Sequence, residues 1–235
     1  MHRNQRVVLI IPALNEEDTI GPLLARVDRG VVDWVVVVDN GSIDRTAERA
    51  AASGATVLRE DRRGYGSACL KAVREGPRGD LVVFMDGDGS DDPSEIASML
   101  DALIDREVDL IIGSRALGRS ERGALTSVQS FGNTLACFLV RLGWGVRFTD
   151  LGPFRAIRRD ALDRLEMSDP DFGWTIEMQV KAAQRKLRTS EMPVHRGLRT
   201  AGKSKVSGTL VGSYRAGKRI LEYILQAKLT ELIRR

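Results

Sequence analysis

At 235 residues, with 43% hydrophobic and 29% charged side chains, the chain has the balance of one globular domain with an extended tail, not of a disordered or fibrous protein. The longest apolar stretch, Leu135 to Trp144, is broken by Arg141 and falls short of the roughly 18 residues of a membrane-spanning helix; the Val7–Ile11 run leads into Pro12 and acidic residues instead of a cleavage site, which excludes a signal peptide. The net charge of +4 is concentrated at the end: from Arg196 onward ten lysines and arginines face only Glu222 and Glu231, a tail suited to phosphate or an anionic membrane surface, and aromatic content of 5% argues against nucleic acid.

In chain order, β-branched runs predict strands at Arg6–Ile11, Trp34–Val38, Ala55–Arg59, Leu81–Met85 and Asp109–Ile112. Helical patterns fall between them, near Glu17–Arg29, Arg45–Ala52, Gly66–Glu75 and Ser94–Asp105. This alternation predicts an α/β fold with a mostly parallel sheet flanked by helices, and ligands then bind beyond the carboxyl ends of the strands. Past Gly113 a helix is expected at about Ser127–Leu142, a strand near Phe154–Ile157, a helix near Trp174–Gln184 and a strand near Thr189–Val194. Gly197 to Gly208 reads as a loop, and Thr209–Ile233 as a basic amphipathic C-terminal helix. Cys69 and Cys137 have no metal-ligand spacing and read as buried apolar residues of a reducing, cytoplasmic compartment.

The stretch Phe84-Met85-Asp86-Gly87-Asp88-Gly89-Ser90 carries the most chemistry. A strand ends in two carboxylates two residues apart, and residues i and i+2 of an extended segment share a side. Asp86 and Asp88 can therefore face one hard cation, Mg²⁺ or Mn²⁺, whose other ligands are substrate phosphates. A calcium-binding EF-hand loop is excluded, because the sixth position from Asp86 is Asp91 instead of glycine and the twelfth is Ala97 instead of glutamate. A phosphatase of the D-x-D-G-[ST] type matches locally, although there the motif normally ends the first strand. An acidic helix start near Pro93 accounts for Asp91, Asp92 and Glu95, but not for Asp86 and Asp88.

Taken in order, IPALNEE (11–17), VVDNGSIDRT (37–46), RRGYGSA (62–68), DGDGSDDP (86–93), GSR (113–115), DLGPFRAIRR (150–159) and FGWTIEMQ (172–179) resemble the family 2 glycosyltransferases of GT-A fold. Within them the chain looks most like the dolichyl-phosphate-mannose-synthase-like branch. The resemblance spans nearly the whole chain and implies a GT-A domain at 1–208 followed by an amphipathic helix at 209–235. It implies an inverting transfer of a hexose from a UDP- or GDP-sugar, with Mg²⁺ or Mn²⁺, to a polyprenyl phosphate or other lipid. A small soluble hydroxyl acceptor is the alternative.

By the same resemblance, Pro12, Leu14, Glu16, Asp39, Gly41, Ser42, Gly64, Gly66 and Asp86 hold the nucleotide. Asp86, Asp88 and Ser90 serve the metal, and Arg199, Lys203, Ser204 and Lys205 close on the diphosphate. Arg115 lies near the sugar or the acceptor phosphate. Asp150 and Glu177 are the candidate bases, needed when a hydroxyl accepts and dispensable when an ionised phosphate does. As residues alone, Asp39–Ser42 could be a plain turn, and Glu177 a charge on a helix surface. DLGPFR and Gly89-Ser90-Asp91 depart from the branch's usual D-x-x-S-G-[FY]-[RK] and L-Q-H/D. The last helix could serve as a membrane contact at the inner face of the cell membrane, or as a homodimer contact.

Overall fold

The computed structural model describes residues 1–118, 127–199 and 210–233. Seven strands form one sheet in the order β3-β2-β1-β4-β6-β5-β7: β1 (Val7–Ala13), β2 (Trp34–Asp39), β3 (Thr56–Arg59), β4 (Leu81–Phe84), β5 (Leu110–Ser114), β6 (Arg155–Arg158) and β7 (Thr189–Pro193). All neighbours run parallel except at β6, which is antiparallel to both β4 and β5. The helices are α1 (Glu17–Ala25), α2 (Thr46–Ala52), α3 (Tyr65–Glu75), α4 (Ile96–Asp105), α5 (Ser127–Trp144), α6 (Arg159–Leu165), α7 (Trp174–Gln184) and α8 (Leu210–Ile233).

Strand alternation divides the core into two layers, because successive side chains leave opposite faces of the sheet. Val7, Leu9, Ile11, Val35, Val37, Val83 and Met85 pack against Ile20, Leu23, Leu24, Met99 and Leu103 of α1 and α4. Val8, Ile10, Val36, Val38, Val82 and Phe84 face the other way, onto Ala68 and Cys69 of α3, Val140 of α5 and Trp174 of α7. Ile224 of α8 is buried in that second layer, so the C-terminal helix packs on the domain. Both cysteines are free and buried.

The expected α1 stops at Ala25 because Val27 and Val32 then turn into the core. The α4 pattern begins with a 3₁₀ turn at Pro93–Glu95, where Asp92 accepts from the backbone N–H of Ser94 at 3.0 Å. Helix α6 went unpredicted: seven residues give too little periodicity to read, although Ala161, Leu162 and Leu165 are buried.

Candidate active site

Three strands, β1, β2 and β4, end side by side, and their following loops make one rim. A cavity of about 370 Å³ opens there, lined by Pro12, Leu14 and Glu16 after β1, Asn40 after β2, and Asp86 and Asp88 after β4. Arg63, Gly64 and Tyr65 close one wall, Asp171 and Phe172 another, and Arg199 lies across the acidic side. Apolar walls with a few converging charged groups fit a small molecule bearing an anionic part.

The acidic side is built from β4. Gly89 takes a left-handed φ of +74°, and the chain folds back so that the Ser90 N–H donates to Asp88 Oδ1 at 3.0 Å; the Ser90 hydroxyl bonds the same oxygen. Ser90 thus orients Asp88. Asp88 and Asp91 are buried, with the half-buried Asp86 beside them, and the cluster is opposed by two arginines from the segment after β7. Arg199 reaches Glu16 at 2.9 Å and Asp88 at 2.8 Å, and Arg196 reaches Asp91 at 2.9 Å. A β-bridge between Asp91 and Arg196 and a Gly197 N–H bond to the Ser90 carbonyl (2.9 Å) fix that segment over the loop.

These surroundings split the carboxylates. Burial, then the neighbouring Asp88 and Asp91, push Asp86 up to about 7. Asp91 is also raised, chiefly by burial, against the pull of Arg196. Burial works in the same sense on Asp88, but Arg196, Arg199 and the Ser90 hydrogen bonds outweigh it and hold that carboxyl below the usual range. Asp88 is accordingly the anion ready to meet a cation, while Asp86 sits at the edge of ionisation near neutral pH.

The other expected residues are distributed unevenly. Asp39 is buried, and its Oδ1 accepts from the Ser42 N–H at 2.9 Å across Gly41, whose φ is +78°. This is a side-chain-closed turn; Asn40 is the residue of that loop that faces the cavity. Asn40 donates to the carbonyls of Glu60 (3.0 Å) and Arg62 (2.8 Å) and accepts from the Gly64 N–H (2.8 Å). It therefore clamps the loop that carries Arg63. Gly66 is required by packing: a Cβ there would stand 2.0 Å from the Asp169 carbonyl oxygen, and at Gly64 one would stand 2.2 Å from that of Pro170.

Asp150 and Glu177 are both spoken for. Arg115 grips the Asp150 carboxylate with two guanidinium bonds of 2.7 and 2.6 Å, and its own N–H adds a third at 2.8 Å. Burial would lower the Arg115 pKa, but Asp150 prevails and raises it. Glu177 is fully buried on α7, where its oxygens accept from the N–H groups of Ser168 (2.9 Å) and Asp169 (2.7 Å), the Ser168 hydroxyl (2.8 Å) and Lys181 (2.7 Å). That is neither a helix-surface charge nor the setting of a proton acceptor, and neither carboxylate lines the cavity. Lys203, Ser204 and Lys205 lie outside the described residues.

The profile of Glycosyl transferase family 2 matches residues 8–166, from β1 through α6. The chain belongs to that family. A glycosyltransferase of Mycobacterium tuberculosis (strain ATCC 25618 / H37Rv) is 37% identical over 208 residues, covering 88% of this chain and 92% of its own. The polyprenol monophosphomannose synthase of Mycolicibacterium smegmatis is 32% identical over 222 residues, covering 87% and 82%. Among solved structures, glucosyl-3-phosphoglycerate synthase of M. tuberculosis, crystallised with Mn²⁺, UDP-glucose and phosphoglyceric acid, superposes with a TM-score of 0.74 at 25% identity over 94% of this chain and 80% of that one. The fold is GT-A, and in this family 2 glycosyltransferase the acidic motif follows the fourth strand in the chain, not the first as the phosphatase reading needs.

Reading the residues in isolation missed Asn40, Arg63, Tyr65, Asp171, Phe172 and Arg196. Asn40 stood next to an expected ligand in DNGS, and Arg63 and Tyr65 flank the expected Gly64. Phe172 opened the FGWTIEMQ motif and Arg196 the basic tail, but neither was read as part of the rim, since only the tertiary fold brings α7's leading loop and β7's trailing segment there.

Proposed function

We propose that this family 2 enzyme transfers a hexose from a UDP- or GDP-sugar to a lipid phosphate, with inversion and with a divalent cation, Mg²⁺ or Mn²⁺. The observation that carries the reading is the cavity itself, apolar on the β1 and α3 side and ending at the Asp86–Asp88 pair under Arg199. In it the nucleoside lies against Pro12, Leu14 and Phe172, and the diphosphate turns toward Asp88.

Asp88, with Asp86 beside it, fits a hard cation: the donors are carboxylate oxygens only. Among the described residues no three carboxylate, histidine or cysteine side chains form a cage, so the remaining ligands fall to the diphosphate. When bound, the cation neutralises charge on the leaving nucleoside diphosphate. Arg199 is placed to add a second positive charge by leaving Glu16 and Asp88 for the phosphates, and Ser90 keeps Asp88 aimed.

The acceptor oxygen then attacks the anomeric carbon from the side opposite the diphosphate, forming the new glycosidic bond as the old C–O bond breaks. A phosphate oxygen arrives ionised and has no proton to give up. That suits a site in which both expected bases, Asp150 and Glu177, are held in closed hydrogen-bonded clusters. Arg115, braced by Asp150, is a fixed cation near the Asp91 side of the cluster, suited to an anionic acceptor head. The mannose-transferring relative named for polyprenol supports the lipid, and the solved neighbour bound to phosphoglyceric acid supports a soluble phosphorylated acceptor as the second reading.

Among the described residues no helix is long and apolar enough to cross a membrane. The proposed enzyme works on the cytoplasmic side, reaching its lipid from the membrane surface. Incubation with radiolabelled UDP-glucose or GDP-mannose and polyprenyl phosphate tests this. Label is expected in the organic phase; label confined to a water-soluble product with 3-phosphoglycerate would shift the assignment to the second reading.

A further inference from the structure

Asp171 and Phe172, which form one wall of the cavity, belong to the loop at 168–173 between α6 and α7, and three helices hold that loop. From α3, the Ser67 N–H donates to the Pro170 carbonyl at 2.7 Å. From α7, Glu177 accepts from the N–H groups of Ser168 and Asp169. The third support comes from α8: Arg219 donates to Asp169 Oδ2 through Nη2 at 2.6 Å and through Nε at 3.1 Å.

The loop is folded around the Asp169 carboxylate. Oδ1 accepts from the Asp171 N–H at 2.9 Å and from the Gly173 N–H at 3.1 Å, the residues on either side of Phe172. A Cβ at Gly173 would stand 2.2 Å from Oδ2, so the chain closes directly on this side chain. Phe172 is thus the apex of a turn tied at both flanks to one oxygen, while the other oxygen of the same carboxylate is held by Arg219.

Charge sets this third support apart from the other two. The Asp169 side chain is 1% exposed, and among the described residues Arg219 is its one ion-pair partner. A buried carboxylate stripped of its counter-charge moves toward water or takes up a proton, and either event disturbs the hydrogen bonds it accepts. The guanidinium is itself well seated, because Ile220, Tyr223, Ile224 and Ala227 pack the following turns of α8 on the core. It also acts on the wall through space: burial and then Asp169 raise the Asp171 carboxyl, and Arg219 opposes them.

We infer that Arg219 is a positioning residue for the donor: through Asp169 it sets where Phe172 and Asp171 stand in the cavity. Arg219 does not line the cavity, so the C-terminal helix takes part in donor binding without touching the donor. This role presupposes a nucleotide-sugar donor in the cavity, as proposed above.

Full-length wild type, R219M and R219K are titrated with UDP-glucose and GDP-mannose in the presence of Mn²⁺, and amide hydrogen exchange is followed on the same preparations. R219M removes charge and both donors, and is expected to weaken donor binding by about tenfold. R219K keeps the charge and one donor, and is expected to recover part of the loss, to within about threefold of wild type. In both variants exchange rises at 168–173 and not in the central strands. R219M binding within about twofold of wild type, unchanged exchange at 168–173, or R219K as weak as R219M would each overturn the inference. Exchange raised throughout the sheet would mean that R219M has lost its fold. R219K then decides: weakened binding with exchange raised only at 168–173 supports the role, and wild-type behaviour in both refutes it. A folded wild type that binds neither donor would sink the transferase reading; wild-type binding with an indifferent R219M would sink only the role of Arg219.

Discussion

Replacing Glu177 by Gln distinguishes a structural carboxylate from a catalytic one. The side chain has no solvent exposure and receives the N–H groups of Ser168 and Asp169, the Ser168 hydroxyl and the Lys181 ammonium. A glutamine keeps one acceptor oxygen but turns an NH₂ toward groups that already donate, and it leaves Lys181 without its counter-charge. Disrupting a buried pair of this kind costs about 3 kcal/mol, and for a chain of this size that is a fall in Tm of roughly 6–12 °C. The loop at 168–173 is what this cluster ties down, and it carries Asp171 and Phe172, so donor KM rises modestly while kcat stays within about threefold. Urea unfolding with steady-state kinetics on the folded fraction reads both quantities. An unchanged unfolding midpoint together with a roughly 10³-fold loss of kcat would make Glu177 the base and refute the structural reading.

Two further substitutions probe the frame around the cavity. Gly66→Ala places a methyl 2.0 Å from the Asp169 carbonyl oxygen and is expected to cost about 3 kcal/mol in urea unfolding; a change under about 0.5 kcal/mol would contradict the close approach of α3 to that loop. Asp44→Ala tests a pH dependence. Burial would raise the Asp44 carboxyl, but hydrogen bonds from Thr46 and the Glu17 N–H prevail and hold it below its ordinary 3.8. A depressed carboxyl stabilises the fold above its unfolded value, and that contribution disappears as pH falls through the lower folded value. The variant should therefore lose about 1 kcal/mol at neutral pH and converge on the wild type in strong acid. A gap that widens on acidification would reverse the sign.

The sheet was legible because its strands are short β-branched runs separated by helical patterns, and the ligand rim followed from the rule that sites lie beyond strand ends. Strand direction was not legible at β6: Arg155-Ala-Ile-Arg158 reads like any other short strand, and only pairing with β4 and β5 shows that it runs backward. The fully buried Arg155 was likewise hidden. Burial pulls its pKa down to about 10, and it survives in the core by donating to the carbonyls of Leu151, Gly152 and Thr175, which no sequence pattern announces. In the site, Asp86 and Asp88 were readable from strand-end position and spacing, and Gly64 only through the family resemblance. Arg196 was not, because its value lies in a bridge to Asp91, 105 residues away. Asp150 carried the right residue type, but its engagement by Arg115 depends on two loops meeting.

Calorimetric titration of wild type and Asp88→Asn with UDP-glucose and GDP-mannose, each with and without Mn²⁺, tests the central claim most directly. The account predicts that the wild type binds one of the two donors and that Mn²⁺ strengthens this by at least about tenfold, while the folded variant loses the Mn²⁺-dependent part. Binding that is the same with and without Mn²⁺, or unchanged in Asp88→Asn, would contradict it.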